Sequence, residues 1–482
     1  MNYKNILFVL ARLISIEGIF LVLSSLVALY YRQDDFLPLL LTGTGALLGG
    51  MVVAYPFRKE KGKLGRREGY FIVTVVWIVF SLVGALPFYV SGYIPSFADA
   101  FFETMSGFTT TGASILNDIE ALPYGLLFWR SLIQWLGGMG IIVLSLAVLP
   151  VLGIGGMQLF IAEVPGPTKD KLHPRIHETA KRLWHLYLGY TVVETALLYY
   201  GGMSLYDAVC HSFTTMATGG YSTKQASIAY FNSPFIEYVI IVFMFIAGVN
   251  FSLGFHLFNL KLNKIRRNEE FKLYTLIIIV VTAIITVVLY AENNFGDWEA
   301  YFRQSLFQVV SLMTTTGFAT QDYLQWPSYV TLLLVLLMFI GGSAGSTGGG
   351  IKVIRVLIVI KNSFLELKRL IHPNAVIPIK YNGHSLPDSI VKNILAFIVF
   401  YIMIFVLSTI MVSAMGYDLE TSIGAVAATL GNIGPGIGEV GPVENFAHFP
   451  IYGKWFLSFL MLVGRLELFT VLVLFTKAYW KS

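Results

Sequence analysis

FTTTGAS, at residues 108–114, has three counterparts further along the chain: MATGGYS at 216–222, MTTTGFA at 313–319 and LGNIGPG at 430–436. Their aligned glycines are Gly112, Gly219, Gly317 and Gly434. The pattern returns at roughly 100 residues, far beyond solenoid periods of about 20 to 50, so each unit must be a structural module in itself. A single glycine after threonine is usually a turn, and small residues also serve helix packing. Four in register, each between two apolar runs, point instead to a repeated functional element.

The sequence around these stretches is membrane sequence. Of 482 residues, 56% are hydrophobic and 13% charged, against about 25% charged in soluble domains. Mean hydropathy is +0.70. Apolar runs long enough for a hydrocarbon core about 30 Å thick recur along nearly the whole chain, leaving no room for a large soluble domain. The run Ile6–Tyr31 exceeds a signal-peptide core and is followed at once by Phe36–Tyr55, without a small-residue cleavage pattern, so it reads as a retained span. Cys210 is the only cysteine, which excludes an intrachain disulfide and any cysteine-based zinc or iron-sulfur centre. The net charge of +5 is carried by short segments between apolar runs. Anionic lipid headgroups account for that placement better than nucleic acid does.

Basic residues crowd Arg58–Arg67, Lys169–Arg182, Lys261–Lys272 and Lys361–Lys392. Alternate connections are nearly free of them: Val90–Phe128 and Met415–Gly453 have none, Gly201–Pro234 has only Lys224 and Glu292–Pro327 only Arg303. The positive-inside rule puts the basic segments and both termini in the cytoplasm. The charge-poor stretches face outward, are too long for turns, and each holds an apolar segment too short to cross. They read as re-entrant, a form tolerated where backbone lines a cavity or is buried in protein. Two spans at the start (1–60) and four span, short-helix, span modules (61–165, 166–265, 266–370 and 371–482) make ten crossings.

Ahead of each glycine, about a dozen residues can form a half-helix, and two begin with a capping pattern, Ser96 with Asp99 and Ser204 with Asp207. The C-terminal ends of such helices carry partial negative charge, so four aimed at one cavity favour a cation. The following glycine lets successive carbonyls turn toward a common axis without a side chain in the way. Rings of carbonyls can replace the hydration shell of potassium, while the smaller sodium recovers less of its dehydration cost. The candidate cation ligands are Thr110, Thr111 and Gly112, then Ala217, Thr218 and Gly219, then Thr315, Thr316 and Gly317, and lastly Asn432, Ile433 and Gly434. The threonines either contribute oxygens or buttress the strands. Asn432, Ile433 and Pro435 depart from the other repeats, so the ring should be only approximately fourfold.

Further motifs are WRSLIQWLGGMGIIVLSLAVLP at 129–150, GGSAGSTGGGIKVIR at 341–355 and GRLELF at 464–469. With the four filter-like stretches, they make the whole chain resemble the TrkH branch of the Trk/Ktr/HKT superfamily of potassium transporters. The two extra N-terminal spans look like TrkH rather than the shorter KtrB. Gly112 is unlike the serine of plant relatives that pass sodium. The resemblance implies an all-α polytopic membrane protein with four span, pore-helix, span repeats around one pseudo-fourfold pore, preceded by two extra N-terminal spans. It also implies potassium as the transported ion, no organic cofactor, a homodimer with one pore per subunit, the bacterial inner membrane, and a cytoplasmic TrkA-like nucleotide-binding regulatory subunit. The 341–352 stretch is no phosphate loop, because Ile351 separates Gly350 from Lys352 and no Ser or Thr follows the lysine. Nucleotide control would act through the partner.

Two features read as gates. GGSAGSTGGG interrupts an apolar span that begins near Tyr329 and resumes at Ile351, and helix is costly there because each glycine loses about 1 kcal/mol against alanine. A glycine-serine run is ordinarily a linker in water, but this one has membrane sequence on both sides. It reads as an intramembrane loop beneath the filter, with Gly345, Ser346, Thr347, Gly348, Gly349 and Lys352 as gate residues; the resemblance implies that its movement opens the path. Arg465 falls near the middle of the last apolar run, where an arginine costs about 2.5 to 3.5 kcal/mol even on the lenient insertion scale. It should face a cavity or an acid. A structural ion pair is the plain reading; a fixed positive barrier just inside the filter is the functional one, and the resemblance supports it.

A potential of about 100 mV supplies ~2.3 kcal/mol per monovalent cation, enough for roughly fiftyfold accumulation without a coupling ion. Channel-like uptake is therefore sufficient. Coupling of potassium to proton or sodium, and a less selective monovalent pathway, are the alternatives. An inverted-repeat transporter would place half of its short segments on each side, whereas here all four should enter from one side, a pattern testable by labelling cysteines at Ser114, Ser222, Ala319 and Gly438. No enzymatic constellation stands out: His173, His177 and His185 follow a basic run, and Lys181 breaks HExxH after His177.

Overall fold

The computed structural model describes residues 1–58, 65–140, 176–251, 253–254, 262–292, 296–375 and 377–481. The boundaries expected at 60/61 and 165/166, with His173 and residues 141–150 of the motif at 129–150, lie outside the described residues. The protein is overwhelmingly helical, its only sheet among the described residues being a hairpin of β1 (Lys380–Tyr381) and β2 (His384–Ser385).

Helices α1 (Tyr3–Tyr31) and α2 (Phe36–Ala54) form a tight antiparallel pair. Their closeness follows from glycine: a side chain at Gly18 would strike the α2 backbone at Leu47 and Gly43, and one at Gly50 would strike the Ala11 carbonyl. Without a hydrophobic drive between helices in lipid, such small-residue contacts supply the packing. The pair docks on the first module through Asp35, whose carboxylate accepts the Leu126 N–H at 2.8 Å.

The modules repeat a long helix, a short helix, an extended stretch and a second helix. They comprise α3 (Arg66–Val90), α4 (Phe97–Phe108) and α5 (Tyr124–Trp135); α6 (Ile176–Tyr200), α7 (Leu205–Met216) and α8 (Pro234–Gly248); α9 (Glu269–Glu292), α10 (Trp298–Met313), α11 (Ser328–Met338) and α12 (Val353–Ile371); and α13 (Asp388–Ser413), α14 (Leu419–Leu430) and α15 (Ile451–Arg465). Outward stripes are apolar, as at Leu276, Ile279, Val280, Ile284 and Val287 on α9 and Val399, Ile402, Val406 and Ile410 on α13. Polar side chains toward the C-terminal ends of the short helices are buried, as at Glu103, Ser106, His211, Thr215, Ser311 and Thr429. This arrangement suits lipid outside and a polar axis within.

Ten crossings were expected; among the described residues five single helices are long and apolar enough to cross. The second helix of a module is where continuity fails. α8 stops at Gly248, α11 gives way to the glycine-rich loop before α12 resumes, and α15 ends at Arg465 with a 110° bend into Phe469–Phe475. Arg465 is therefore the last residue of a helix and not the midpoint of one.

Candidate functional site

The short helices α4, α7, α10 and α14 begin and end alike. Each starts with a side-chain cap: the Ser96, Ser204, Asp297 and Asp418 oxygens accept backbone N–H groups of Asp99, Asp207, Glu299 and Thr421. The serine caps are the pair expected from sequence, and the aspartates complete the set. Each helix ends in the same double closure, with Thr111, Gly219, Thr316 and Ile433 donating to the carbonyls of Ser106, Thr214, Ser311 and Ala428. The residue before each donor, Thr110, Thr218, Thr315 or Asn432, is left-handed at φ +51 to +58, and its own N–H bonds back to Gly107, Thr215, Leu312 or Thr429. This is the Schellman stop. Three threonines hold a conformation that β-branched residues avoid, and such strain collects where the surrounding structure fixes the backbone for a purpose.

The stop corrects the register of the second strand. Gly220, not Gly219, is the positive-φ glycine equivalent to Gly112, Gly317 and Gly434, at φ +74 against +84, +84 and +100. Ala217 then falls at the helix cap beside Thr109, Thr314 and Gly431, and Gly219 matches Thr111, Thr316 and Ile433. Laid position by position, the four seven-residue stretches also put Gly220 opposite Gly112, Gly317 and Gly434, so the expected Gly219 was one residue out of register, and the helix end agrees with Gly220.

The four glycines close a ring. A β-carbon on Gly112 would lie 2.2 Å from the Gly219 carbonyl oxygen, one on Gly220 2.0 Å from that of Thr316, one on Gly317 2.1 Å from that of Ile433, and one on Gly434 2.9 Å from that of Thr111. Each strand thus abuts the next, and the fourth returns to the first. Beyond the ring the strands meet in one cavity, lined among others by Ser114, Ser222, Ala319, Gly434 and Asn445. Emergence of all four on one side is a rotational, not an inverted, arrangement.

Across the ring lies the glycine-rich loop. Its base closes where Gly341 N–H donates to Ile351 at 2.9 Å and Ile351 N–H to Phe339 at 3.2 Å. Its tip presses on the helix ends: the Thr347 hydroxyl reaches the carbonyls of Met216 and Ala247 at 3.1 and 3.2 Å, and Gly349 N–H donates to Thr315 Oγ1 at 2.6 Å. Ser346 Oγ bonds within the loop to the Ser343 carbonyl, Gly345 receives Phe251 N–H, and Lys352 Nζ donates to Gly348. Arg465 donates to the Thr347 carbonyl at 2.7 Å and to the carbonyls of Gly137 and Gly138 at 2.7 and 3.1 Å. It spans from the last helix to the loop and to the first module, just beneath the ring.

Residues 42–482 match the family model TrkH, described as a cation transport protein. The chain belongs to the TrkH family. The potassium uptake protein TrkH of the Trk system from Salmonella typhimurium and that from Escherichia coli K12 are each 44% identical, over the full length of both chains. The crystal structure of the potassium transporter TrkH from Vibrio parahaemolyticus superposes with TM-score 0.89 at 39% identity, covering all of both chains. This TrkH-family chain is a multi-pass membrane protein of a transporter family.

Behind the TrkH-family ring stand residues that the sequence did not single out. Gln134 on α5 donates to the Gly219 carbonyl at 2.7 Å and accepts Tyr221 N–H at 3.0 Å. Asn432, already among the candidate ligands, donates its side-chain amide to Thr111 Oγ1 at 2.9 Å, joining the fourth strand to the first. Glu103 and Arg130 form a fully buried ion pair at 2.7 Å. A charge pair on apolar helices, Glu103 on α4 and Arg130 on α5, was the available sign. Beyond Arg465 the helix stops through Glu467, at φ +54 and ion-paired with Arg355, where neither glycine nor asparagine marks the end.

Proposed function

We propose that the chain takes up potassium channel-like across the bacterial inner membrane, the ring of carbonyls at residues 110–112, 218–220, 315–317 and 432–434 acting as the selectivity filter. The observation carrying this reading is the cyclic contact of each strand's glycine with the next strand's carbonyl. Rigid backbone oxygens around one axis, at the negative ends of four helices, suit a large monovalent cation. The names of the relatives, potassium uptake proteins of the Trk system, agree.

In this reading the loop and Arg465 are the gate. The guanidinium occupies carbonyls just inside the filter, so a cation meets a fixed positive charge until loop and arginine withdraw. The termini and basic segments lie in the cytoplasm, where a TrkA-like nucleotide-binding subunit controls opening, and the chain works as a homodimer. The test is flux into liposomes containing the purified protein. Potassium and rubidium should pass better than sodium or lithium, and equal sodium flux would refute the filter.

A further inference from the structure

We propose that Glu103, Arg130 and Tyr221 are positioning residues that set potassium over sodium discrimination by clamping the first two filter strands together; the inference rests on the filter reading above. The Glu103 carboxylate, 0% exposed, accepts from three donors. Arg130 Nε reaches Oε1 at 2.7 Å, the Ser114 hydroxyl sits 3.0 and 3.1 Å from the two oxygens, and Ile115 N–H reaches Oε2 at 2.9 Å. Arg130 donates onward to the Ser222 carbonyl at 3.0 Å, and its guanidinium lies 3.5 Å from the Tyr221 ring centre. The Tyr221 hydroxyl turns back to the first module, 2.8 Å from the Glu103 carbonyl and 3.2 Å from that of Ala113. Residues 113–115 follow Gly112, and 221–222 follow Gly220. The clamp therefore grips both strands immediately beyond the ring glycines.

The corrected register makes the clamp legible as a specialised position. Nine residues before the ring glycine stand Glu103, His211, Gln308 and Ala425 in the four repeats. His211 reaches the Ser222 hydroxyl at 2.9 Å and Gln308 only the Gln321 carbonyl at 3.4 Å, while alanine offers nothing. The brace runs from a doubly held ion pair through neutral bonds to none. Buried ion pairs are poor sources of stability, because desolvation offsets attraction. What a satisfied network supplies is one fixed geometry. A filter that separates cations by carbonyl spacing needs that fixity most where the strands are otherwise held by glycine.

The experiment compares full-length wild-type protein with Glu103→Gln and Tyr221→Phe in liposomes, reading potassium flux against competing sodium. An amide at 103 has one accepting oxygen in place of two, so either Arg130 Nε or Ile115 N–H loses its acceptor; Tyr221→Phe keeps the ring and removes only the hydroxyl. We expect Glu103→Gln to lower the potassium-to-sodium ratio about tenfold, the scale of one charge-assisted hydrogen bond. Tyr221→Phe should lower it less, Gln308→Ala least, with potassium flux retained throughout. Unchanged ratios in Glu103→Gln and Tyr221→Phe proteins of wild-type thermal stability would overturn the clamp. Should Glu103→Gln fail to fold, Tyr221→Phe alone decides in the same way. Gly112→Ala, run alongside, separates the two readings. If it alters the ratio while the clamp variants do not, the filter stands and the clamp falls; if wild type itself prefers neither ion, both fall.

Discussion

Alanine placed in turn at the four ring glycines should injure selectivity in an order set by geometry. All four sit at positive φ, where an L side chain costs roughly 1–2 kcal/mol, so strain alone would make them equal. The clash does not. Ordinary contact begins at 3.4 Å, and the added carbon would fall about 1.4, 1.3 and 1.2 Å short of it at Gly220, Gly317 and Gly112, but only about 0.5 Å short at Gly434. At the first three positions a carbonyl of the neighbouring strand must move by an ångström; at Gly434 a few tenths suffice. At Gly219 the added carbon meets the Gln134 side-chain amide instead of backbone, so that variant should be milder than Gly220→Ala. The assay is rubidium uptake into liposomes with sodium competing, on protein matched for reconstitution. Gly220→Ala, Gly317→Ala and Gly112→Ala should lose most discrimination, and Gly434→Ala and Gly219→Ala should keep a measurable part. Equal damage at Gly434 and Gly220, or greater damage at Gly219 than at Gly220, would show that the corrected register and the ring argument are wrong.

Arg465→Ala should raise basal potassium flux in the absence of any regulatory subunit by about an order of magnitude, since charge-assisted hydrogen bonds to three carbonyls are lost; unchanged flux in folded protein would count against a barrier. Shortening the loop between Gly345 and Gly349 should likewise raise permeation, and no change would reduce this stretch to a connection. Hydrogen bonds from Thr421 hold the Asp418 carboxyl below the usual aspartate range. Its capping contribution is therefore complete above the unfolded-state pKa and fades as pH falls through the lower folded value. Thermal melts across that acid window should show a loss of stability in wild type that Asp418→Asn lacks.

What could be read from sequence was whatever depends on repetition and on the solvent. Lipid demands long apolar runs and the charge bias orients them, so spans and short helices were visible, as were the serine caps at Ser96 and Ser204. What depends on helix ends was not. Of the paired Gly219 and Gly220, position in the repeat favours Gly220, and the stop at Ala217 is what fixes it in the ring. The helix end after Arg465 is built on Glu467 and Leu468, residues without the usual signature, because the ion pair to Arg355 and the packing of Leu468 hold it from outside. Glu103 and Arg130 are 27 residues apart with no local pattern to join them, and their pairing is a product of tertiary structure alone.

The gate and the filter proposed here are hydrogen-bonded to each other. Thr347 is bound to the Met216 carbonyl, the last of helix α7, and Gly349 N–H to the hydroxyl of Thr315, the left-handed residue of the third strand. Withdrawal of the loop therefore releases oxygens that belong to the filter's own supports. Arg465 binds the loop through the Thr347 carbonyl, so it cannot keep all three of its carbonyl partners while the loop moves. The guanidinium is itself a cation satisfied by backbone oxygens, the kind of ligand a potassium ion seeks at the ring above. On this reading a permeating ion competes with Arg465 for one class of ligand. Opening is then an exchange of a tethered cation for a mobile one, and any agent that draws the loop toward the cytoplasm acts on both at once.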